Sequence, residues 1–208
     1  MNRQEGSRIT HLCLVRHGES LWNAEGRVQG QLDPDLSPLG ERQAKALAAR
    51  LSREPWDRLY ASDLRRALAT AEAIARRTGL EVHRLVELRE RHMGRLEGLL
   101  AGEARALYPD WDDPVVGRES LAAFTERAVA VCRRLITAHP GERLLVVTHG
   151  GLIKQYLNHL NFGDWLIDNT GITRLEWTEE GGIPLRCRLI CVNDTGHIDL
   201  DEALSVTT

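Results

Sequence analysis

Several signals of membrane, secreted and nucleic-acid-binding proteins are missing from this sequence of 208 residues. The formal net charge is −3, which argues against a general nucleic-acid binder. The stretch from Met1 to Thr10 is polar, and the apolar run that follows it is far too short for a signal peptide or a membrane span. These absences predict a cytoplasmic protein whose partners include neither a nucleic acid nor a membrane.

Cysteine is also scarce, and its spacing is unlike that of a zinc knuckle. The four cysteines fall on predicted strands or helices and are expected to be buried free thiols: Cys13, Cys132, Cys187 and Cys191. The pair Cys187 and Cys191, with His197 nearby, suggests a metal, but residues four apart on a strand lie ~13 Å from each other. Zinc holds each sulfur at ~2.3 Å, so no metal site is predicted.

Short apolar runs bounded by turn residues predict six strands. They are Ile9–Val15, Trp56–Ala61, Glu81–Val86, Leu144–Val147, Ile172–Thr178 and Arg186–Val192, the last two joined by a hairpin-like turn around Glu179–Gly182. Alternation of strands with helical segments predicts the α/β class, a three-layer α/β/α sandwich with a mainly parallel central sheet. With 42% hydrophobic residues and no repeat or linker, residues 1–208 are expected to form a single domain.

Helical periodicity and capping residues predict the helices between these strands. Ser37 is a candidate N-cap before Pro38, and the next helix is expected to begin at the N-cap Ser62. The residues expected to face inward form one stripe on each of three helices: Leu39, Gln43, Ala46, Leu47 and Leu51; Leu64, Ala67, Leu68, Ala71 and Ala75; and Leu121, Phe124, Ala128, Val131 and Leu135. The third of these helices is expected to end near His139–Gly141.

The tripeptide Arg16-His17-Gly18 falls where the first predicted strand ends. Gly18 lets the backbone turn sharply away, and ligands of open α/β sheets bind just outside the carboxyl ends of the strands. A guanidinium group beside an imidazole suits an anion whose central atom is attacked. On its own the tripeptide is weak evidence, because any strand end can carry a polar pair.

A second strand end repeats this pattern. Leu144–Val147 is followed by Thr148, His149 and a glycine pair, and then by a helical stripe with Leu152, Tyr156 and Leu160. Two neighbouring parallel strands would bring His17 and His149 together over one pocket. A histidine at one strand end is usually structural, but two in matching contexts favour a functional site.

Two more segments carry charged candidates. The first segment is Ser62-Asp63-Leu64-Arg65-Arg66-Ala67. Arg66 lies off the apolar stripe, near the positive end of the helix dipole, where an anion is favoured. Arg65 and Arg66 are equally compatible with ordinary arginines exposed to solvent. Glu90 lies in a loop within Leu88–Gly94. His83, His92 and His197 are expected at the surface or behind the site, with His92 close enough to Glu90 to reach the pocket.

Together these motifs resemble the histidine phosphatase superfamily, the phosphoglycerate mutase-like family, in the family's order from about Thr10 to His197. The matching blocks are Arg16-His17-Gly18 with Glu19, Ser20 and Asn23; Gln29-Gly30; Asp33 to Gly40 with Gln43 and Ala44; Ser62, Leu64, Arg66, Ala67, Thr70 and Ala71; Glu90; and Thr148-His149-Gly150-Gly151. The resemblance implies a phosphoglycerate mutase-like fold and a metal-independent phosphomonoesterase without a cofactor.

The resemblance also implies the role of each site residue. It assigns catalysis to His17, Glu90, His149, Arg16 and Arg66, and phosphate binding to Arg16, Asn23, Gln29, Gly30, Arg66, His149 and Gly150. His17 would form a phosphohistidine. Glu90 would protonate the leaving alkoxide and then activate a water molecule in a ping-pong reaction.

The segment 99–118 is expected to be a short lid. Tyr108, Trp111, Arg105 and Arg118 are its candidate substrate contacts. Cofactor-dependent phosphoglycerate mutases carry a longer excursion here with a basic pair that this chain lacks, although Glu90-Arg91-His92 resembles the mutase form of the acid block. A phosphatase acting on a small phosphorylated metabolite is therefore favoured over a mutase. A phosphate-binding protein without catalytic turnover stays open as an alternative function. A homodimer stays open as the assembly.

Overall fold

The computed structural model describes residues 8–180 and 183–198, which form one six-stranded sheet with helices on both faces. The elements in chain order are β1 (Arg8–Arg16), α1 (Leu21–Glu25), α2 (Pro38–Leu51), β2 (Arg58–Ser62), α3 (Arg65–Thr78), β3 (Val82–Leu85), α4 (Ala101–Leu107), α5 (Leu121–Ala138), β4 (Arg143–Thr148), α6 (Gly150–His159), β5 (Ile172–Glu180) and β6 (Ile183–Asp194). Three short 3₁₀ helices lie at Val86–Leu88, Gly94–Leu96 and Pro114–Val116.

The strand order in the sheet is β3-β2-β4-β1-β5-β6. The first four strands of this order run parallel, and β5 and β6 add an antiparallel edge. Parallel pairing aligns Arg16, the last residue of β1, with Thr148, the last residue of β4. The two predicted histidine-bearing strand ends are therefore direct neighbours.

Two apolar layers cover the sheet, as the three-layer prediction requires. On one face, α2 and α3 pack with a cluster that includes Leu47, Leu51 and Ile74. On the other face, α5 and α6 pack with a cluster that includes Leu135 and Tyr156. Because strands buried on both faces need apolar side chains on both sides, β1 and β4 are nearly continuous apolar runs. The α/β sandwich with a mainly parallel sheet is confirmed.

The capping signal was right for α2, and the other helix signals were partly wrong. Ser37 is the N-cap of α2, with its side chain accepting from the Gly40 N–H, and Pro38 occupies the first turn. Leu39 and Leu121, expected to face inward, are 40% and 50% exposed, because each lies in the first turn of its helix, ahead of the buried stripe. Ser62 is not an N-cap: it ends β2, and α3 begins three residues later.

The cysteine prediction holds for half of the residues. Cys13 and Cys132 are buried, whereas Cys187 and Cys191 are only half-buried because they lie on the edge strand β6; all four are free thiols. The predicted turn around Glu179–Gly182 falls partly on residues 181–182, outside the described residues. Among the residues that the structure describes, no helix is long and apolar enough to cross a membrane.

Residues 99–118 contribute to a small apolar cluster that is separate from the two clusters covering the sheet. Ala104 of α4 and Val116 pack with Leu96 in a separate apolar cluster, to which Tyr108 and Trp111 contribute. The Arg118 guanidinium lies over the Trp111 ring and donates to Asp112. Tyr108, Trp111 and Arg118, three of the candidate substrate contacts, thus pack against or bind other residues of this region. The fourth, Arg105, is exposed on α4.

Candidate active site

His17 and His149 meet at the carboxyl ends of β1 and β4. The His17 N–H donates to the Thr148 carbonyl at 3.0 Å, which continues the parallel ladder by one residue. The two imidazole rings lie edge to face, with centroids 5.1 Å apart. The pairing that two separate strand ends suggested in the sequence is therefore real, and both rings are buried.

The surroundings of His17 determine which of its nitrogens carries the proton. Its Nδ1 lies 2.7 Å from the Gly18 carbonyl oxygen, which can only accept, so Nδ1 carries the proton. Nε2 is then unprotonated, and it accepts from the Arg66 Nε–H at 3.3 Å. Burial, followed by the charges of Arg66 and Arg16, holds the pKa of His17 well below its ordinary value. The ring is neutral, and the unprotonated Nε2 carries the electron pair that accepts from Arg66.

Arg66 is the largest fully buried side chain of the described residues, although arginine is rarely buried. Nη1 donates to the Leu32 carbonyl and Nη2 to the Gly30 carbonyl, both at 2.9 Å. Together with the contact to His17, these bonds engage three of its five N–H groups and leave one on each Nη. Burial lowers the pKa of Arg66 to about 10, so it stays charged at neutral pH.

The first turns of α3 are tied to the turn after His17. The Gly18 N–H donates to Thr70 Oγ1 at 3.1 Å, and the Thr70 hydroxyl donates to the Arg66 carbonyl at 2.8 Å. Gly18 also passes so close to Gly40 that a Cβ on it would lie 2.6 Å from the Gly40 oxygen. These contacts hold the Arg66 side chain beside His17.

Arg16 forms the opposite side of the cationic site. Its Nη1 donates to the Ile167 carbonyl at 2.6 Å, which connects the strand end to the loop after α6. A Cβ on Gly150 would lie 3.2 Å from Arg16 Cδ, so the glycine lets α6 start close to the guanidinium. Burial lowers the pKa of Arg16, and the nearby carboxylates of Glu90 and Asp168 partly oppose this.

His149 precedes α6 and is completely buried. Its Nε2 shares a hydrogen bond of 2.9 Å with Ser62 Oγ at the end of β2, and Nδ1 has no hydrogen-bond partner among the described residues. Burial, then the charge of Arg66, holds the pKa of His149 well below its ordinary value. The role of Ser62 is thus to fix this ring rather than to cap α3.

Glu90 reaches the site from the loop before residues 94–96. Its Oε1 accepts from the Arg91 N–H at 2.9 Å and its Oε2 from the Gly151 N–H at 3.0 Å. A Cβ on Gly151 would lie 2.3 Å from Glu90 Oε1, so any larger residue there would displace the carboxylate. Arg127 donates to the backbone carbonyls of Arg89 and Glu90 and holds the loop in place.

The amide side chains expected to bind phosphate are oriented by Ser20. Asn23 Oδ1 accepts from the Ser20 N–H and hydroxyl at 3.1 Å, as part of a capping box for α1. Gln29 Oε1 lies 2.7 Å from Ser20 Oγ. The single hydroxyl hydrogen of Ser20 serves one of these two oxygens at a time, and both amide side chains line the pocket, where an NH₂ group can donate to an anion. Gly30 adopts φ +53° and places its carbonyl against Arg66.

These groups surround a cavity of about 330 Å³. Its lining residues are Arg16, His17, Asn23, Val28, Gln29, Gly30, Arg66, Glu90, Met93, Gly150, Gly151, Lys154, Trp165, Leu166 and Ile167. His149 is not among them, since it lies behind His17. No residue of 99–118 lines the cavity either; Val28 and Met93 stand between it and the cluster to which that segment contributes.

The loop after α6 is the part of the site that sequence reasoning missed. Trp165, Leu166 and Ile167 form one wall, and Asn169 Nδ2 donates to the His17 carbonyl at 3.0 Å. The signal that could have revealed this wall is an apolar run, Trp165 to Ile167, placed between a helix and a strand. Leu166 is 82% exposed and Trp165 44% exposed, so this wall presents apolar surface to solvent.

The remaining histidines fall outside the cavity. His92 is exposed and lies 3.8 Å from Glu97, so it does not reach the pocket in this structure. His197 was expected at the surface or behind the site, and it is buried behind it, with Nε2 3.0 Å from Thr170 Oγ1. Thr170 in turn donates its N–H to the carbonyls of Arg16 and His17. Across residues 8–180 and 183–198, no three His, Cys, Asp or Glu side chains are grouped to hold a metal ion.

Comparison with known proteins assigns the family. The family model of the histidine phosphatase superfamily, branch 1, matches residues 12–189. This chain belongs to that superfamily. It is 43% identical over 156 residues to phosphoglycerate mutase-like protein 4 of Arabidopsis thaliana, covering 69% of this chain and 67% of the relative. It is 39% identical over 160 residues to the metal-independent phosphoserine phosphatase of the same plant, covering 71% and 67%.

The solved structures agree with this assignment. The mycobacterial glucosyl-3-phosphoglycerate phosphatase superposes with a TM-score of 0.77 at 29% identity, covering 89% of this chain and 99% of that one. The predicted phosphoglycerate mutase-like fold is confirmed. The presence of named phosphatases among the relatives also confirms the predicted activity class, phosphoric monoester hydrolysis, and leaves the mutase alternative less favoured.

Proposed function

We propose that this member of the superfamily hydrolyses a small phosphate monoester through a phosphohistidine at His17 Nε2, without a metal ion. The observation that carries the proposal is the Nδ1 contact to the Gly18 carbonyl, which leaves Nε2 unprotonated at the floor of the pocket. A buried neutral imidazole needs no base to activate it, so it can attack phosphorus directly.

In the first half-reaction, Nε2 attacks phosphorus in line with the leaving oxygen. The N–P bond forms as the P–O ester bond breaks, and a protonated Glu90 gives its proton to the leaving oxygen. Arg16 and the two uncommitted N–H groups of Arg66 donate to the equatorial oxygens, where negative charge must be stabilised. Two guanidinium groups supply the charge that Mg²⁺ provides in many other phosphoryl-transfer sites.

In the second half-reaction, the Glu90 carboxylate takes a proton from water while the water oxygen attacks phosphorus. The P–N bond breaks and its electron pair returns to Nε2, which restores neutral His17 and releases inorganic phosphate. His149 lies edge to face with His17, and its Nδ1 has no hydrogen-bond partner among the described residues, so we assign this nitrogen as a further donor to a phosphoryl oxygen. Asn23 and Gln29 add amide donors.

The pocket favours hydrolysis over mutase chemistry. A mutase must hold a substrate with two phosphate groups and therefore needs a second cationic site. Among the lining residues, Lys154 is the single cation besides Arg16 and Arg66, which is little positive charge for the dianion of a second phosphate group. The relatives named for phosphoserine and glucosyl-3-phosphoglycerate support a small phosphorylated metabolite as the substrate. The four free cysteines are compatible with a reducing compartment such as the cytoplasm.

The test is the His17→Ala variant, with His83→Ala on strand β3 as the matched control. Hydrolysis of p-nitrophenyl phosphate should fall by several orders of magnitude in His17→Ala and stay near the wild-type rate in the control. Labelled phosphate should appear on wild-type protein as an acid-labile adduct and be absent from His17→Ala. Near-normal activity of His17→Ala, or label on another residue, would overturn the mechanism. Rapid interconversion of 2- and 3-phosphoglycerate that depends on a bisphosphate would establish a mutase instead.

A further inference from the structure

Lys154 lies on the side of the pocket where the leaving group must be. It follows Gly151 by three residues on α6, so the two share a helix face and are separated by about one turn, ~5 Å. The Gly151 N–H holds the carboxylate of Glu90, the proposed proton donor to the leaving oxygen. A group that leaves from beside Glu90 therefore departs toward Lys154.

The leaving-group side is otherwise apolar. Apart from the groups assigned to the phosphoryl end, from Glu90 with Gly151 and from Lys154, the lining residues are Val28, Met93, Trp165, Leu166 and Ile167. The two arginines of the pocket are committed to the phosphoryl end by their contacts with His17 and with the loop after α6. Lys154 is thus the cation available to any part of the substrate beyond the phosphate.

Lys154 is paired with a carboxylate of the same chain. Its Nζ lies 2.9 Å from Asp164 Oδ1, which also accepts from Asn158 Nδ2 at 3.2 Å. The Asp164 side chain is 66% exposed and is not among the lining residues. Exposed ion pairs of this kind contribute little to stability, so another carboxylate can replace Asp164 at small cost.

We propose that Lys154 binds a carboxylate on the leaving alcohol and that Asp164 is the internal competitor for that position. The substrate class is then the phosphate monoesters of small hydroxy acids, in which a few bonds separate the ester oxygen from a carboxylate. This inference rests on the proposed function, because it places the leaving group by the position of Glu90.

The test compares 3-phosphoglycerate with glycerol 3-phosphate, which carries a hydroxymethyl group in place of the carboxylate. The measured quantity is the ratio of kcat/KM for the first compound to that for the second. In Lys154→Met this ratio should fall about tenfold, the usual loss of a charge-assisted hydrogen bond, with the change mainly in KM. The only other lysine of the chain, the exposed Lys45 on α2, provides the matched control, and Lys45→Met should leave the ratio unchanged.

The Asp164→Asn variant is expected to change the kcat/KM ratio in the opposite direction. If the ion pair had only a structural role, this substitution would leave the ratio unchanged. Removing the competing charge while keeping the shape should raise the ratio about threefold, in line with the worth of an exposed pair. A Lys154→Met variant that slows both compounds equally would overturn the proposal, as would an Asp164→Asn variant with a lowered ratio. A wild type that prefers glycerol 3-phosphate would also overturn it.

Failure of this inference is distinguishable from failure of the proposed function. If wild-type protein forms the acid-labile phosphoenzyme from p-nitrophenyl phosphate but Lys154→Met leaves the ratio unchanged, the phosphohistidine mechanism stands and the assignment of Lys154 is wrong. If no phosphoenzyme forms while the ratio still depends on Lys154, the pocket binds hydroxy-acid phosphates and the assignment of His17 is wrong.

Discussion

The N–H of Gly151 donates to Glu90 Oε2 at 3.0 Å, although the two residues lie 61 positions apart in the chain. The contact connects the start of α6, which follows His149, to the loop that carries the carboxylate. It is close because Gly151 has no Cβ, and a Cβ there would lie 2.3 Å from the other carboxylate oxygen. The second glycine after His149 is therefore needed for the position of Glu90.

Gly151→Ala should displace Glu90 and impair the step that needs its proton. Because a misplacement of about 1 Å can cost ~100-fold in rate, kcat for glycerol 3-phosphate should fall by about ten- to a hundredfold. Steady-state kinetics measure this loss. The control is Gly102→Ala on α4, where an added Cβ meets nothing within 4 Å. Equal activity of the two variants would mean that the Gly151 contact does not position Glu90 for catalysis.

Glu90→Gln should distinguish leaving groups. An alkyl alkoxide needs a proton as the P–O bond breaks, whereas an aryl phenolate needs much less help. The variant should lose about 10²- to 10⁴-fold with glycerol 3-phosphate and clearly less with p-nitrophenyl phosphate. Because water attack also loses its base, phosphoenzyme made from the aryl ester should accumulate in rapid-quench experiments. Equal losses with both esters would remove Glu90 from the acid role.

Metal chelation should leave activity intact. Arg16 and Arg66 supply the positive charge of the proposed site, and Glu90, the one carboxylate among the lining residues, does not make the oxygen cluster that Mg²⁺ prefers. Hydrolysis of p-nitrophenyl phosphate after dialysis against EDTA should match that of untreated protein. A complete loss of activity that Mg²⁺ or Zn²⁺ restores would contradict the proposed mechanism.

The two buried histidines should make stability depend on pH. Their pKa values in the folded protein lie well below the ordinary value, so below about pH 6.5 the unfolded chain binds more protons than the folded one. Their contribution is therefore present above pH 6.5 and is lost as the pH falls, by up to about 1.4 kcal/mol per pH unit for each histidine.

Urea unfolding at pH 7, 6 and 5 measures this dependence. The decrease in the free energy of unfolding from pH 7 to pH 5 should be smaller in His17→Gln than in wild type. His83→Gln serves as the control for loss of a histidine elsewhere. If His17→Gln keeps the wild-type decrease, His17 is not held neutral in the folded protein.

Much of the fold was predictable because its signals are local. The apolar runs of β1 and β4, the Ser37-Pro38 start of α2 and the turn residues after each strand each depend on a few neighbouring residues. The positions of Arg16, His17 and His149 at strand ends were visible for the same reason. Parallel strands end at one edge of a sheet, so a correct strand prediction already placed these side chains near each other.

What the sequence by itself determined is the class of chemistry: two histidines, two arginines and one carboxylate in the order of a known family. What only the tertiary structure decided is the protonation, the burial and the orientation of those groups. The Nδ1 proton of His17, the burial of Arg66 against two carbonyls and the use of Ser62 to hold His149 depend on contacts between distant segments. The same is true of the pocket wall formed by Trp165 and Leu166. Local patterns cannot specify such contacts, because hydrogen-bond partners and burial are set by which segments the folded chain brings together.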